Sequence, residues 1–206
     1  MKLPDNLPAP ELVLDLRKPL AIRGGTLATL KLREPAALEV WKAETHIQND
    51  AGPEAVTLYL RELTAQVCGI AKAEDLDEVP TSILGQAGEY FSGFTEAGLE
   101  PAEIGLDAGA QPDQWDLELP RPVTFQGIEY ASLTLLEPLT GTVRKAQGHL
   151  RKGIGPQSLR SYQLWLVSGT AGVPYQVVQA LPVSVLNAAA LYLQGFIGPG
   201  RRTGTS

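Results

Sequence analysis

The chain contains itself twice. Displaced by 103 positions, residues 12–72 match residues 115–175 at 18 of 61 places, against roughly 6% expected from average amino-acid usage. Pro19 falls on Pro122, Gly24 on Gly127, Leu30 and Leu32 on Leu133 and Leu135, Glu34-Pro35 on Glu137-Pro138, and His46 on His149. Gly52-Pro53 then falls on Gly155-Pro156, Tyr59 on Tyr162 and Gly69 on Gly172. One residue drops out of the second copy, and at an offset of 102 residues 76–94 match 178–196 at 7 of 19 places, including Pro80/Pro182, Tyr90/Tyr192 and Gly93-Phe94/Gly195-Phe196.

A duplicated segment must satisfy the same backbone twice, so each shared residue is a structural instruction. Leu20–Arg23 and Leu27–Leu32 are short β-type runs around Gly24-Gly25, a dipeptide suited to the positive φ of a tight hairpin turn. The second copy repeats this as Val123–Gln126, Gly127 and Tyr130–Leu136. The preceding runs 12–16 and 115–119 have the composition to add a third strand. Glu34-Pro35 and Glu137-Pro138 stop the strand and open a helix over 35–48 and 138–151, since proline at a first helical position forfeits no hydrogen bond.

Gly52-Pro53 and Gly155-Pro156 open a second helix, whose Val56, Leu60, Leu63 and Val67 follow amphipathic spacing and which Gly69 or Gly172 closes. A third helix starts at Pro80 or Pro182 and runs toward Phe94 or Phe196. The expected class is α+β, two similar modules in tandem, each a β-hairpin followed by about three helices. The first module covers 1–98, an acidic linker 99–114 and the second module 115–197, leaving 198–206 as a disordered tail.

Charge separates the copies where pattern does not. Residues 18–94 hold seven basic and eleven acidic side chains, a net −4, whereas 121–196 hold six and two, a net +4. Opposite signs are consistent with one module docking on the other, in the same molecule or the next, and so with self-association, with each module meeting a different partner, or with drift on solvated faces. The overall charge of −6 and a pI near 5.0 argue against nucleic acid as a partner. The longest apolar stretch, Val183–Leu193, is about 11 residues, short of the roughly 20 that span a bilayer, so no membrane partner is expected. The prolines and acids of 1–15 leave no room for an export signal, and the single Cys68 forms no internal disulfide; both point to a cytoplasmic, reducing compartment.

Catalytic chemistry is hard to assemble. The two histidines, His46 and His149, occupy one equivalent position near a helix end, which suits capping or packing better than a triad or a metal site. Gly153-Ile154-Gly155 follows a helix and lacks a dinucleotide fingerprint's third glycine; the acidic run Glu74, Asp75, Asp77, Glu78 lacks the glycine and terminal glutamate of a calcium loop. The expectation is a protein that is not an enzyme and takes no cofactor or metal. The duplicated aromatics Tyr59, Tyr90, Phe94, Tyr162, Tyr192 and Phe196 are either core or the wall of a groove for an apolar partner helix, and stand as the candidate partner-binding residues.

The repeated unit carries Lys18-Pro19, Gly24, Leu30-Lys31-Leu32-Arg33-Glu34-Pro35 and Gly93-Phe94, and again Arg121-Pro122, Gly127, Leu133-Thr134-Leu135-Leu136-Glu137-Pro138 and Gly195-Phe196. In this order it resembles phage tail assembly chaperones of the small tail-protein-E-like type, which are usually single modules of about half this length. The resemblance implies a non-enzymatic protein of the bacterial host cytoplasm that binds the tape measure protein and helps tail tube protein polymerise around it. A structural subunit of a phage tail or contractile injection machine is the alternative it leaves open.

Overall fold

A computed structural model describes residues 3–22, 25–100, 104, 112–151 and 153–197. Strand β1 (Glu11–Ile22) pairs antiparallel with β2 (Gly25–Arg33), and β3 (Gln114–Phe125) with β4 (Ile128–Leu136), as two separate two-stranded sheets. Helices α1 (Ala37–Ala43), α2 (Pro53–Val67) and α3 (Thr81–Thr95) follow the first hairpin. After the second come α4 (Thr140–Gln147), α5 (Pro156–Ala171), α6 (Tyr175–Gln179) and α7 (Val183–Gln194). Strands and helices are segregated along the chain, and the class is α+β.

The runs at 12–16 and 20–23 are not separate strands. They are the two ends of β1, which pairs Asp15 with Thr29 and next Leu20 with Leu27, so that residues 16–19 bulge opposite Ala28 alone. In β3 the pairing jumps likewise from Glu118–Ser132 to Val123–Tyr130. Each paired residue of the first hairpin, moved by 103, gives a paired residue of the second. Pro19 and Pro122 sit in these bulges, where a missing N–H costs no ladder bond. The second hairpin closes through Gln126 and Gly127, φ 50° and 79°, the positive pair that a twist-matched two-residue turn demands. The first hairpin's turn residues, Arg23 and Gly24, lie outside the described residues.

Period-two alternation turns one face of each hairpin inward: Leu14, Leu16, Leu30 and Leu32 in the first, and Trp115, Leu117, Leu119, Leu133 and Leu135 in the second. Helix α1 starts two residues later than Pro35. Ala36 is its cap, and the Glu39 carboxylate turns back to accept from Ala36 N (2.7 Å) while holding the Arg33 guanidinium at 2.9 and 2.6 Å. Both first helices are also shorter than 35–48 and 138–151, and a 3-10 turn, Gly148–Leu150, follows α4.

Pro53 and Pro156 open α2 and α5 as expected, and Gly172 ends α5 in the left-handed region, φ 66°. On α2, Leu63 and Val67 are buried, but Val56 is 40% exposed. The second half carries one helix more than the spacing suggested, because α6 stands where the first half has only a 3-10 turn, Ala73–Leu76.

Two apolar clusters form, one under each hairpin. Val183 of α7 belongs to the first and Ala37 of α1 to the second. The end of the first module also takes part, since Ala97 and Gly98 are buried and Asn187 Nδ2 donates to the carbonyls of Thr95 (2.9 Å) and Ala97 (3.1 Å), and in the acidic segment Ile104 is buried. Residues 101–103, 105–111 and the tail 198–206 lie outside the described residues.

Candidate functional site: the cleft between the halves

The halves meet through backbone as well as side chains. Ala37 N donates to Leu181 O (2.8 Å) and Val183 N to Pro35 O (3.0 Å), so Ala36 and Pro182 form an isolated antiparallel bridge. Glu34 Oε1 accepts from the backbone N–H (3.0 Å) and the hydroxyl (2.6 Å) of Ser184, the second residue of α7. Burial raises the Glu34 carboxyl above its ordinary range, against the Ser184 donors and the Arg121 charge, which pull it down.

Beside this bridge lies a cleft of about 590 Å³. The N-terminal segment lines it with Leu7, Pro8 and Pro10, and β3 with Pro120–Thr124, the bulge and the two paired residues after it; Phe94, Glu34, Ala36 and Pro182 are also in its wall. Prolines supply much of this surface and carry no N–H, so an occupant meets apolar rings and carbonyls rather than backbone donors. Arg121, exposed, and Glu34, half-buried, are its charged groups together with Arg33, which Glu39 already engages. The arrangement suits an apolar segment with a carboxylate placed for Arg121.

The sequence-predicted aromatics are mostly placed elsewhere. Tyr90, Tyr162 and Tyr192 are buried, as is Phe94, which reaches the cleft wall while only 2% exposed. Tyr59 and Phe196 are half-buried. Their duplication has a packing cause. Tyr90 Oη donates to Ala9 O (2.8 Å) and Tyr192 Oη to Pro112 O (2.9 Å), carbonyls 103 residues apart. Tyr90–Phe94 and Tyr192–Phe196 also repeat one edge-to-face contact, at 5.1 and 5.2 Å. Tyr90, Tyr162 and Tyr192 are core and line no cleft, while Phe94 is core and cleft wall at once; a buried ring and a groove-lining ring leave the same periodic signature in a sequence.

His149 stacks on Trp165 with centroids 5.3 Å apart, and Trp165 in turn meets Tyr175. His46 is half-buried just past α1. Among the described residues no group of three His, Cys, Asp or Glu side chains is placed to hold a metal ion, and no helix is long and apolar enough to cross a membrane. Pro8, Pro120, Arg121 and Pro182 are not among the residues that the sequence marks as partner-binding. Arg121-Pro122, matched by Lys18-Pro19, and Glu34-Pro35, matched by Glu137-Pro138, do stand out in the repeat, but nothing in a repeat says which copy of one faces which copy of the other.

No family model, curated protein or solved structure matches this chain.

Proposed function

We propose that this protein is a phage or prophage tail assembly chaperone, acting without catalysis in the bacterial host cytoplasm. It binds the tape measure protein and keeps it available while tail tube protein polymerises around it. The cleft between the halves carries this reading: about 590 Å³ of largely apolar, proline-built wall with Arg121 at its edge, open to a segment of another polypeptide. A long helical protein with exposed apolar side chains aggregates unless those are covered, and apolar contact is sufficient to cover them.

Co-expression with the long helical product of the neighbouring gene, followed by pull-down, tests it. The wild type copurifies with that protein, and Arg121→Glu or Thr124→Trp, which reverse the charge or fill the cleft, reduce recovery at least tenfold. Absence of copurification with both proteins soluble overturns the reading. Presence of the chain in purified particles favours the second reading, a permanent tail subunit.

A further inference from the structure

The junction between the halves joins two different faces. From the first half comes the stretch around α1: Glu34 to Ser184, Trp41 Nε1 to Ser161 Oγ (2.7 Å), and Glu44 to Arg160 (3.0 Å). From the second half comes a socket built by the N-terminal ends of α5 and α7 and by α6. Because the sequence is duplicated, each face has a counterpart. The counterpart of the plug is 137–151, around α4, and that of the socket is formed by α2, the turn 73–76 and α3.

Packing about a twofold axis would join these two as well, and they are apart. Leu139 is 77% exposed where Ala36 forms the bridge, and Gln147 is exposed where Glu44 is 6% exposed. On the socket side Thr81, Ser82 and Gly85 are exposed, where Val183, Ser184 and Asn187 are almost wholly buried. Each chain thus ends in one open plug and one open socket, facing partners it cannot reach itself.

We propose that copies of this chain associate head to tail, the α4 plug of one seating in the α2–α3 socket of the next as the α1 plug seats within the chain. The open faces are complementary in charge: Arg144, Lys145 and Arg151 are exposed on the plug, and Glu54, Glu74 and Glu78 on the socket. Within the chain, Gln157 donates to Trp41 O and Thr45 Oγ1. Their counterparts are Glu54 and, on the other face, the Arg144 carbonyl with Gly148, so these two hydrogen bonds are not repeated and the open contact depends on the charges instead. Glu137, Ser82 and Pro80 retain the residue types of Glu34, Ser184 and Pro182. A heterologous contact of this kind does not stop at two, so the assembly grows with concentration and weakens with salt.

Sedimentation of the full chain tests this. The weight-average mass of the wild type rises past that of a dimer with concentration and falls on adding salt. A plug variant (Leu139→Asp, Arg144→Glu) and a socket variant (Ser82→Arg, Glu54→Arg) are each monomeric and still unfold cooperatively, with melting only slightly below the wild type, because the sites are exposed and the reversed charges at the ends of α4 and α2 cost little. Mixed, they form a one-to-one dimer and nothing larger, since one intact plug meets one intact socket. Thr81→Arg serves as an independent socket variant. A wild type monomeric at every concentration at low salt, a dimer that does not grow, or association surviving both variants would overturn the proposal. Arg121→Glu in the cleft leaves association unchanged, so this test and partner capture fail independently.

Discussion

Arg160 Nη2 donates to Glu44 Oε1 at 3.0 Å across the junction, and neither residue has a charged counterpart in the other half, where Gln147 and Thr57 stand. Arg160 Nη1 also donates to Asn187 Oδ1 at 2.7 Å, while Glu44 Oε2 and Arg160 Nε find no partner. Both side chains are about nine-tenths buried. Burial raises the Glu44 carboxyl above its ordinary range, against the attraction of Arg160, which lowers it.

Truncating one member of such a pair leaves an uncompensated buried charge, which costs about 3–5 kcal/mol. Arg160→Met is therefore strongly destabilising in denaturant unfolding, and Glu44→Leu combined with Arg160→Met recovers most of the loss. A double variant as unstable as the single would show that packing, rather than the stranded carboxylate, is responsible.

Glu34 gives a pH signature. Its folded pKa is raised above the ordinary 4.5, so the fold holds its proton more tightly than the unfolded chain does. The associated stability is present in full below pH 4.5 and is lost as pH rises through the folded value. Glu34→Gln keeps an oxygen to accept from Ser184 but cannot ionise. Melting temperatures measured on both sides of that interval should show a flatter pH dependence for the variant, and at pH 7 a stability equal to or above that of the wild type. A variant parallel to the wild type across the interval would remove Glu34 as the cause.

The repeated glycines Gly52 and Gly155 open equivalent helices in different surroundings. A Cβ on Gly155 would run into Gln48 of the other half, backbone carbonyl included, whereas one on Gly52 meets only the Asp50 carboxylate at 3.3 Å. Gly155→Ala should cost about 1–3 kcal/mol through overpacking at the junction. Gly52→Ala should cost clearly less in the same unfolding measurement, because an exposed side chain can move aside.

Cys68 caps the end of α2, half-buried, with its Sγ donating to Lys31 O at 3.5 Å. Burial, the largest influence, pushes the thiol up to about 11 from 9.0. Only the thiolate is reactive, so at pH 8 alkylation of the folded protein should be on the order of 100-fold slower than that of the denatured chain. Equal rates would show that the site opens freely.

Some of this was legible before any coordinates. Pro53 and Pro156, Gly69 and Gly172, and the alternating leucines of each hairpin act within a few residues of themselves, by φ preference, lost donors and side-chain period. The bulges at 16–19 and 119–122 were not, because a third short strand and a kinked longer one have the same composition on either side of Pro19 or Pro122. Helix α6 was missed where five residues carry too little periodicity to register.

The candidate site was the least legible part. Tyr90 and Tyr192 look like a repeated binding feature until each hydroxyl is seen to hold the segment preceding its own hairpin. By itself the sequence determined two like units with matching turns, helix starts and inward faces, since those follow from local backbone chemistry applied twice. Only the tertiary structure decided how one unit sits on the other: which Glu-Pro meets which serine, where the cleft opens, and which faces stay open. The turns and inward faces that the copies share leave every pairing between them equivalent, and the choice is made by residues they do not share, such as Glu44 and Arg160, in contact across the junction.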